Sequence, residues 1–220
     1  MEKLYSFLYF TVILIHLFCC IFEKKKIRGL TKLMLMPLLL LIYLDICSDI
    51  AFHHKRSKLI INGILLGFQG DALLLINNTK CFLFGLLSFL LGHLLYITAF
   101  VRRLGDFPNY WLISLIEIIH FTIFTIGFMK FLVSGFKKEM KYYAFIYGFT
   151  LTILDSLAIY SVFRNCCYQT ILILVGTLNF FISDSILAYH KFVRNINLGS
   201  FYIMGTYIVA QSCIAIGMAL

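Results

Sequence analysis

The chain has 220 residues, of which 61% are hydrophobic and 13% are charged, and its mean hydropathy is +0.94. A soluble domain carries about 45–50% apolar and about 25% charged residues, so this composition excludes a soluble globular protein and predicts a polytopic membrane protein. The net charge of +9 comes from basic residues in short loops between apolar runs. That pattern indicates contact with the membrane surface and argues against a nucleic-acid partner.

Apolar runs separated by short polar breaks predict eight membrane-spanning α-helices. A span needs about 20 residues, and in lipid only a helix satisfies the backbone groups of such a run. The predicted helices cover residues 4–22, 30–47, 57–76, 82–101, 109–134, 141–163, 168–190 and 198–219. We therefore expect an all-α fold that forms one integral membrane domain over residues 1–220. Its expected location is the endoplasmic reticulum in a eukaryote or the cytoplasmic membrane in a bacterium.

The basic residues are unevenly divided between the two sides of the predicted bundle. Twelve of the 19 Lys and Arg residues lie in or near the loops that join odd-numbered helices to the next even-numbered helix, and seven lie on the other side. Short cytoplasmic loops carry an excess of Lys and Arg. The first side is therefore predicted to be cytoplasmic, with both termini on the opposite side.

The two halves of the chain also show signs of duplication. A shift of 113 residues superposes Gly63 on Gly176 and Asp71 on Asp184 without a gap. Each half contains four predicted helices, an even number, so the expected relationship is a parallel repeat of four plus four helices.

Two aspartates stand out among the polar residues inside the predicted spans. An ionisable group in the bilayer costs about 2.5–3.5 kcal/mol on insertion scales, so such groups face the bundle interior and mark functional sites. Asp71 lies six residues before Asn77, and Asp184 lies six residues before His190. Each is thus about 9 Å from the end of its helix on the same side of the membrane. We predict that Asp71 and Asp184 share one polar site.

Other polar residues are candidates for positioning water or substrate beside the aspartates. These are His93, Tyr96, Asn179, Ser183, Tyr207 and Gln211. Ser183 and Gln211 have an alternative role as hydrogen-bonding contacts between helices. Glu117 and His120 resemble half of a carboxylate–histidine metal site, but no second histidine has a matching spacing, so no metal is predicted. The role of Asp155 stays open.

Several motifs in separate helices carry a family resemblance. The segments are "TKLMLMPLLL", "GDALLL", "FLFGLLSFLLGHLLYITAF", "GTLNFFISDSILAYHKF" and "GTYIVAQSCIAIGMAL". Together they resemble the YhhN family of eight-helix membrane proteins, whose characterised members are lysoplasmalogenases. The resemblance implies hydrolysis of the vinyl ether bond of a lysoplasmalogen to a fatty aldehyde and glycerophosphoethanolamine or glycerophosphocholine.

The two aspartates suit that chemistry. A vinyl ether is cleaved by protonation at carbon, and water then captures the oxocarbenium ion. Two aspartates in one apolar pocket do not readily both ionise, so Asp71 and Asp184 are expected to act as an acid/base pair without a cofactor. The single chain of the lysophospholipid is expected to lie among apolar side chains and membrane lipids. Its phosphate is expected to meet Lys32 or Lys191.

Two functions of other classes are consistent with the same pattern. A small-molecule or lipid transporter also places polar residues in mid-membrane, and parallel repeats occur in transporters. However, the sequence lacks proline- or glycine-interrupted short helices in matching positions. A non-enzymatic lipid-binding membrane protein would keep the pocket without needing both aspartates. The sequence makes no prediction of the oligomeric state.

Overall fold

A computed structural model describes residues 2–48, 57–106, 110–132, 135 and 138–220. Within those ranges the chain is helical and contains no strand. The helices are α1 (Glu2–Ile21), α2 (Lys25–Ile46), α3 (Lys58–Leu74), α4 (Thr79–Leu104), α5 (Tyr110–Gly127), α6 (Lys138–Arg164), α7 (Tyr168–Phe192) and α8 (Gly199–Ala219). The predicted all-α class is confirmed.

Seven of these helices are long and apolar enough to cross a membrane. The remaining helix, α3, has 17 residues in the described part of the chain, and it carries Asp71. An integral membrane protein is thus supported, whereas the exact number of spans and the four-plus-four repeat stay predictions.

The observed helix ends lie close to the predicted ones, with two informative differences. Helix α2 begins at Lys25, whereas the sequence predicts a start at residue 30. The first turn is helical although it is basic, because long basic side chains extend from it to the membrane surface. The fifth helix was predicted to run to residue 134. It is α-helical to Gly127 and continues as a π-helical turn, Phe128–Leu132. Residues 133 and 134 lie outside the described part of the chain.

The helices pack as a ring with one helix outside it. Neighbours around the ring are α1, α2, α3, α4, α6, α7 and α8, and α8 returns to contact α1, α2 and α3. Helix α5 packs on the outer side of α6. Accordingly, 67% of an apolar 18-residue stretch of α6 is buried, but only 11% of the corresponding stretch of α5. This ring places α3, α6, α7 and α8 around one interior.

Glycines set the close approach of α3 to α4. A Cβ atom at Gly63 would overlap the ring of Tyr96, and one at Gly92 would lie 3.3 Å from the Gly63 carbonyl oxygen. Small residues at helix interfaces let backbones approach closely, which drives association in lipid. The short distance between α3 and α4 brings Tyr96 toward the side of α3 that carries Asp71.

Candidate active site

Asp71 is held on two sides by side chains of α2 and α8. It lies near the end of α3 and is 1% exposed. One carboxylate oxygen lies 3.1 Å from the Lys32 Nζ atom of α2, and the other accepts a hydrogen bond of 2.8 Å from the Tyr207 hydroxyl of α8. The Lys32 side chain is 13% exposed, so the lysine points into the bundle. Its predicted contact with a phosphate group therefore stays a prediction, and its observed partner is Asp71.

Asp184 has a different environment. It lies on α7, is partly buried, and accepts a short hydrogen bond from the Tyr147 hydroxyl of α6. No ion pair to Asp184 is present among the described residues. Tyr147 was missed by the sequence analysis. The available signal was its position well inside the sixth apolar run, far from the interface where membrane tyrosines concentrate.

Aromatic rings connect the two aspartates. The Tyr207 ring packs edge-on against Phe180, with 5.6 Å between centroids. The His93 ring contacts Phe180 at 4.4 Å and Tyr147 at 5.4 Å. Neither nitrogen of His93 has a hydrogen-bond partner within the described ranges, although the side chain is only 1% exposed. Buried polar atoms normally have a partner, so these nitrogens are suited to hold a water or a substrate atom.

Gln211 and Tyr96 extend the polar site on the α8 side. The Tyr96 hydroxyl donates a 2.8 Å hydrogen bond to Gln211 Oε1. A Cβ atom at Gly67 would lie 3.1 Å from Gln211 Nε2 and 3.5 Å from the Tyr207 hydroxyl. Glycine at this position therefore leaves room for both side chains beside Asp71. Tyr96, Tyr207 and Gln211, all predicted site residues, lie together.

The remaining predicted residues make other contacts. Ser183 donates a 3.0 Å hydrogen bond to the Ile203 carbonyl of α8. This contact between helices is the alternative role that the sequence analysis considered for Ser183. Asn179 donates to the Val175 carbonyl of its own helix. Lys191 lies over the Phe82 ring, with 3.6 Å from Nζ to the ring centroid, a cation–π contact at the end of α7.

An apolar cavity leads to Asp184. This inner cleft has a volume of about 70 Å³ and is lined by α3, α4, α5, α6, α7 and the π-helical turn. Phenylalanines supply much of its wall, and Tyr147 and Asp184 lie together in it. Asp184 is the one acidic residue among the described residues that line the cleft. Asp71 does not line the cleft.

A second polar cluster joins α5 to α6. The Thr152 hydroxyl donates to Glu117 Oε1 at 2.9 Å, and His120 Nδ1 lies 3.3 Å from the Ser156 hydroxyl. Asp155, which is 1% exposed, lies near Glu117 on the same side of α6. No group of three or more His, Cys, Asp or Glu side chains is placed to hold a metal ion in the part of the chain that the structure describes.

The model of the YhhN family matches residues 27–218. The chain belongs to the YhhN family. No curated protein and no solved structure matches it.

The YhhN match covers all of the polar site. It begins before Lys32 of α2 and ends after Gln211 of α8, so both aspartates and the aromatic residues between them fall inside it. All of α1 lies outside the match. The residues that the sequence resemblance singled out are thus part of the family region.

Proposed function

We propose that this YhhN protein is a lysoplasmalogenase, a hydrolase that cleaves the vinyl ether bond of a lysoplasmalogen. The products are a fatty aldehyde and glycerophosphoethanolamine or glycerophosphocholine. The observation that carries the proposal is the position of Asp184 in an apolar cleft, within electrostatic range of a second, ion-paired aspartate. Family membership supports the same reaction class.

Asp184 is assigned the role of proton donor because it lines an apolar cleft. Its carboxylic acid delivers a proton to the outer carbon of the vinyl group, and the adjacent carbon becomes an oxocarbenium ion. The Tyr147 hydroxyl orients the carboxyl group and stabilises the carboxylate that remains. Such a positioned acid contributes about 10²–10⁴-fold to a rate.

Water completes the reaction. His93 lies against Tyr147, and its ring nitrogens are suited to hold the attacking water. As water adds to the oxocarbenium carbon, one of its protons returns to Asp184. The resulting hemiacetal then loses its glyceryl oxygen, which takes up the hydroxyl proton, and the aldehyde is released. The sum is the consumption of one water and no change in the protonation of the enzyme.

Asp71 is assigned an electrostatic role. Lys32 and Tyr207 hold its carboxylate in place, and it lies within electrostatic range of Asp184. A fixed negative charge stabilises a cation that develops nearby, especially where water is excluded. Asp71 therefore acts on the transition state without contacting the substrate.

The test is aldehyde release from a 1-alkenyl lysophosphatidylethanolamine by the purified protein in lipid nanodiscs. The matched 1-alkyl ether lacks the double bond that is protonated, and we expect it to remain intact. The matched 1-acyl ester distinguishes this activity from that of a lysophospholipase. In D₂O, with immediate reduction of the product, the alcohol should carry one deuterium next to the former aldehyde carbon. Release of fatty acid from the ester, or no aldehyde from the vinyl ether, would refute the proposal.

A further inference from the structure

The inner cleft adjoins a larger cavity on the membrane-facing side of the bundle. This outer groove, with a volume of about 750 Å³, lies between α4 and α6. It shares four lining residues with the inner cleft, and these are Leu83, Leu86, Tyr143 and Tyr147. The same tyrosine that holds Asp184 thus borders both spaces.

The groove has the length and polarity of one membrane leaflet. Its α4 wall runs from Lys80 to Leu90, and ten residues of helix extend about 15 Å. That length is half of a hydrocarbon core of about 30 Å. Below Lys80 the α4 wall is formed by Leu83, Phe84, Leu86, Leu87 and Leu90. Leu87 is 47% exposed, so the groove opens sideways toward lipid.

Two cations border the route from the groove to the cleft. Lys80 is exposed at the start of α4 and lines the groove. Lys191 lies over Phe82, whose ring lines the cleft. A lipid that moves inward with its chain between α4 and α6 passes from the first ammonium group toward the second. Ammonium groups near the membrane surface attract phosphate.

We propose that the outer groove is the lateral entry and chain-binding site for a single-chain phospholipid, with Lys80 meeting the phosphate at its mouth. This assignment rests on the proposed function, because it identifies how that substrate reaches Asp184. The narrow cleft behind the groove favours one chain over the two chains of an ordinary membrane phospholipid.

Leu87→Trp tests the groove, and Leu91→Trp is its matched control. The two leucines lie one turn apart on α4 with similar exposure, 47% and 44%, but only Leu87 lines the groove. We expect Leu87→Trp to raise KM for a long-chain alkenyl substrate about tenfold or more, the scale of overfilling a packed site. KM for a short-chain analogue should change little. Equal effects of the two variants, or an equal loss for both substrates, would overturn the proposal.

Lys80→Gln tests the phosphate contact. We expect it to raise KM about fivefold without changing kcat, the scale of one lysine at a membrane surface. Lys58→Gln, at the start of α3 on the opposite side of the membrane, should leave both constants unchanged. A fall in kcat with an unchanged KM would contradict the assignment of Lys80.

Photo-crosslinking of the Asp184→Asn variant measures binding of the lipid independently of its hydrolysis. The probe is a lysophosphatidylethanolamine with a diazirine at the end of its chain, and the labelled peptides are identified by mass spectrometry. Labelling of α4 and α6 supports the groove even when wild-type protein releases no aldehyde, a result that would refute only the proposed function. Aldehyde release by wild type with no label on either helix would instead refute the groove.

Discussion

Asp71 and Asp184 are chemically identical residues in different surroundings. Asp71 is enclosed and paired with a lysine, whereas Asp184 faces a cavity and contacts a tyrosine hydroxyl. An ion pair stabilises a carboxylate in one charge state, which suits electrostatic stabilisation. A carboxyl group at the surface of a cavity is placed to exchange a proton with a ligand, which suits acid catalysis.

Asp184→Asn should abolish most of the aldehyde release. Asparagine keeps the size of the side chain but does not deliver a proton, so we expect a loss of about 10²–10⁴-fold in kcat. The measurement is single-turnover aldehyde release, with thermal unfolding in detergent to confirm an intact fold. Asp155→Asn is the control, because Asp155 is a buried aspartate of α6 that lines neither cavity. Near-normal turnover by Asp184→Asn would remove it from the mechanism.

His93→Phe should lower the activity of the protein without lowering its stability. It removes two buried nitrogens that have no hydrogen-bond partner in the described structure, so the free energy of unfolding should be unchanged or higher. The attacking water loses its partner, and we expect kcat to fall about 10²-fold, the effect of misplacing a reactant. Thermal unfolding and aldehyde release measure the two effects. A parallel loss of stability and activity would indicate that His93 is only a packing residue.

At the scale of helices, the Lys32–Asp71 pair joins α2 to α3. Asp71→Asn leaves the largely enclosed Lys32 ammonium group without its counter-ion, and breaking a buried pair costs about 3–5 kcal/mol. Replacing both members, as in Lys32→Met with Asp71→Leu, should restore stability because apolar pairs substitute well for buried ion pairs.

Activity distinguishes the two roles of that pair. We expect the double variant to unfold at a temperature close to that of wild type yet to release little aldehyde. Recovery of aldehyde release would show that Asp71 serves only as the counter-ion of Lys32.

The contact between α3 and α4 depends on glycine at a specific position. Gly63→Ala places a methyl group against the Tyr96 ring, so we expect destabilisation of about 1–3 kcal/mol. Gly205→Ala in α8 is the control, because in the described part of the chain no atom outside the adjacent backbone of α8 lies within 4 Å of the added Cβ. The measurement is the thermal unfolding temperature in detergent. Equal behaviour of the two variants would show that α3 and α4 separate without cost.

For the whole molecule, the distribution of basic residues predicts which side of the bundle is cytoplasmic. The exposed Cys166, between α6 and α7, lies on the side with fewer Lys and Arg residues. In sealed vesicles whose cytoplasmic face points inward, a membrane-impermeant maleimide should therefore label Cys166 without detergent. The control carries Cys166→Ser and Cys167→Ser. If labelling requires permeabilisation, the orientation of the protein is opposite to the predicted one.

Most of the helices follow from the sequence because apolar runs of about 20 residues leave the backbone little choice in lipid. The sequence does not determine in the same way which helices pack against each other. Asp71 and Asp184 were predicted to share a site from their depth alone, whereas Lys32 was assigned to the surface and in fact contacts Asp71. Tyr147 was missed for the same reason, since periodicity does not reveal that α6 packs between α4 and α7.

The ion pair between α2 and α3 also has a consequence for biogenesis. Helix α3 is short, with 17 described residues, and it carries an aspartate that disfavours insertion on its own. Lys32 leaves the ribosome before Asp71, so α2 supplies the compensating charge by the time α3 reaches the translocon. The two helices are therefore best inserted as a hairpin. The lysine that pairs with Asp71 thus also helps α3 to enter the membrane.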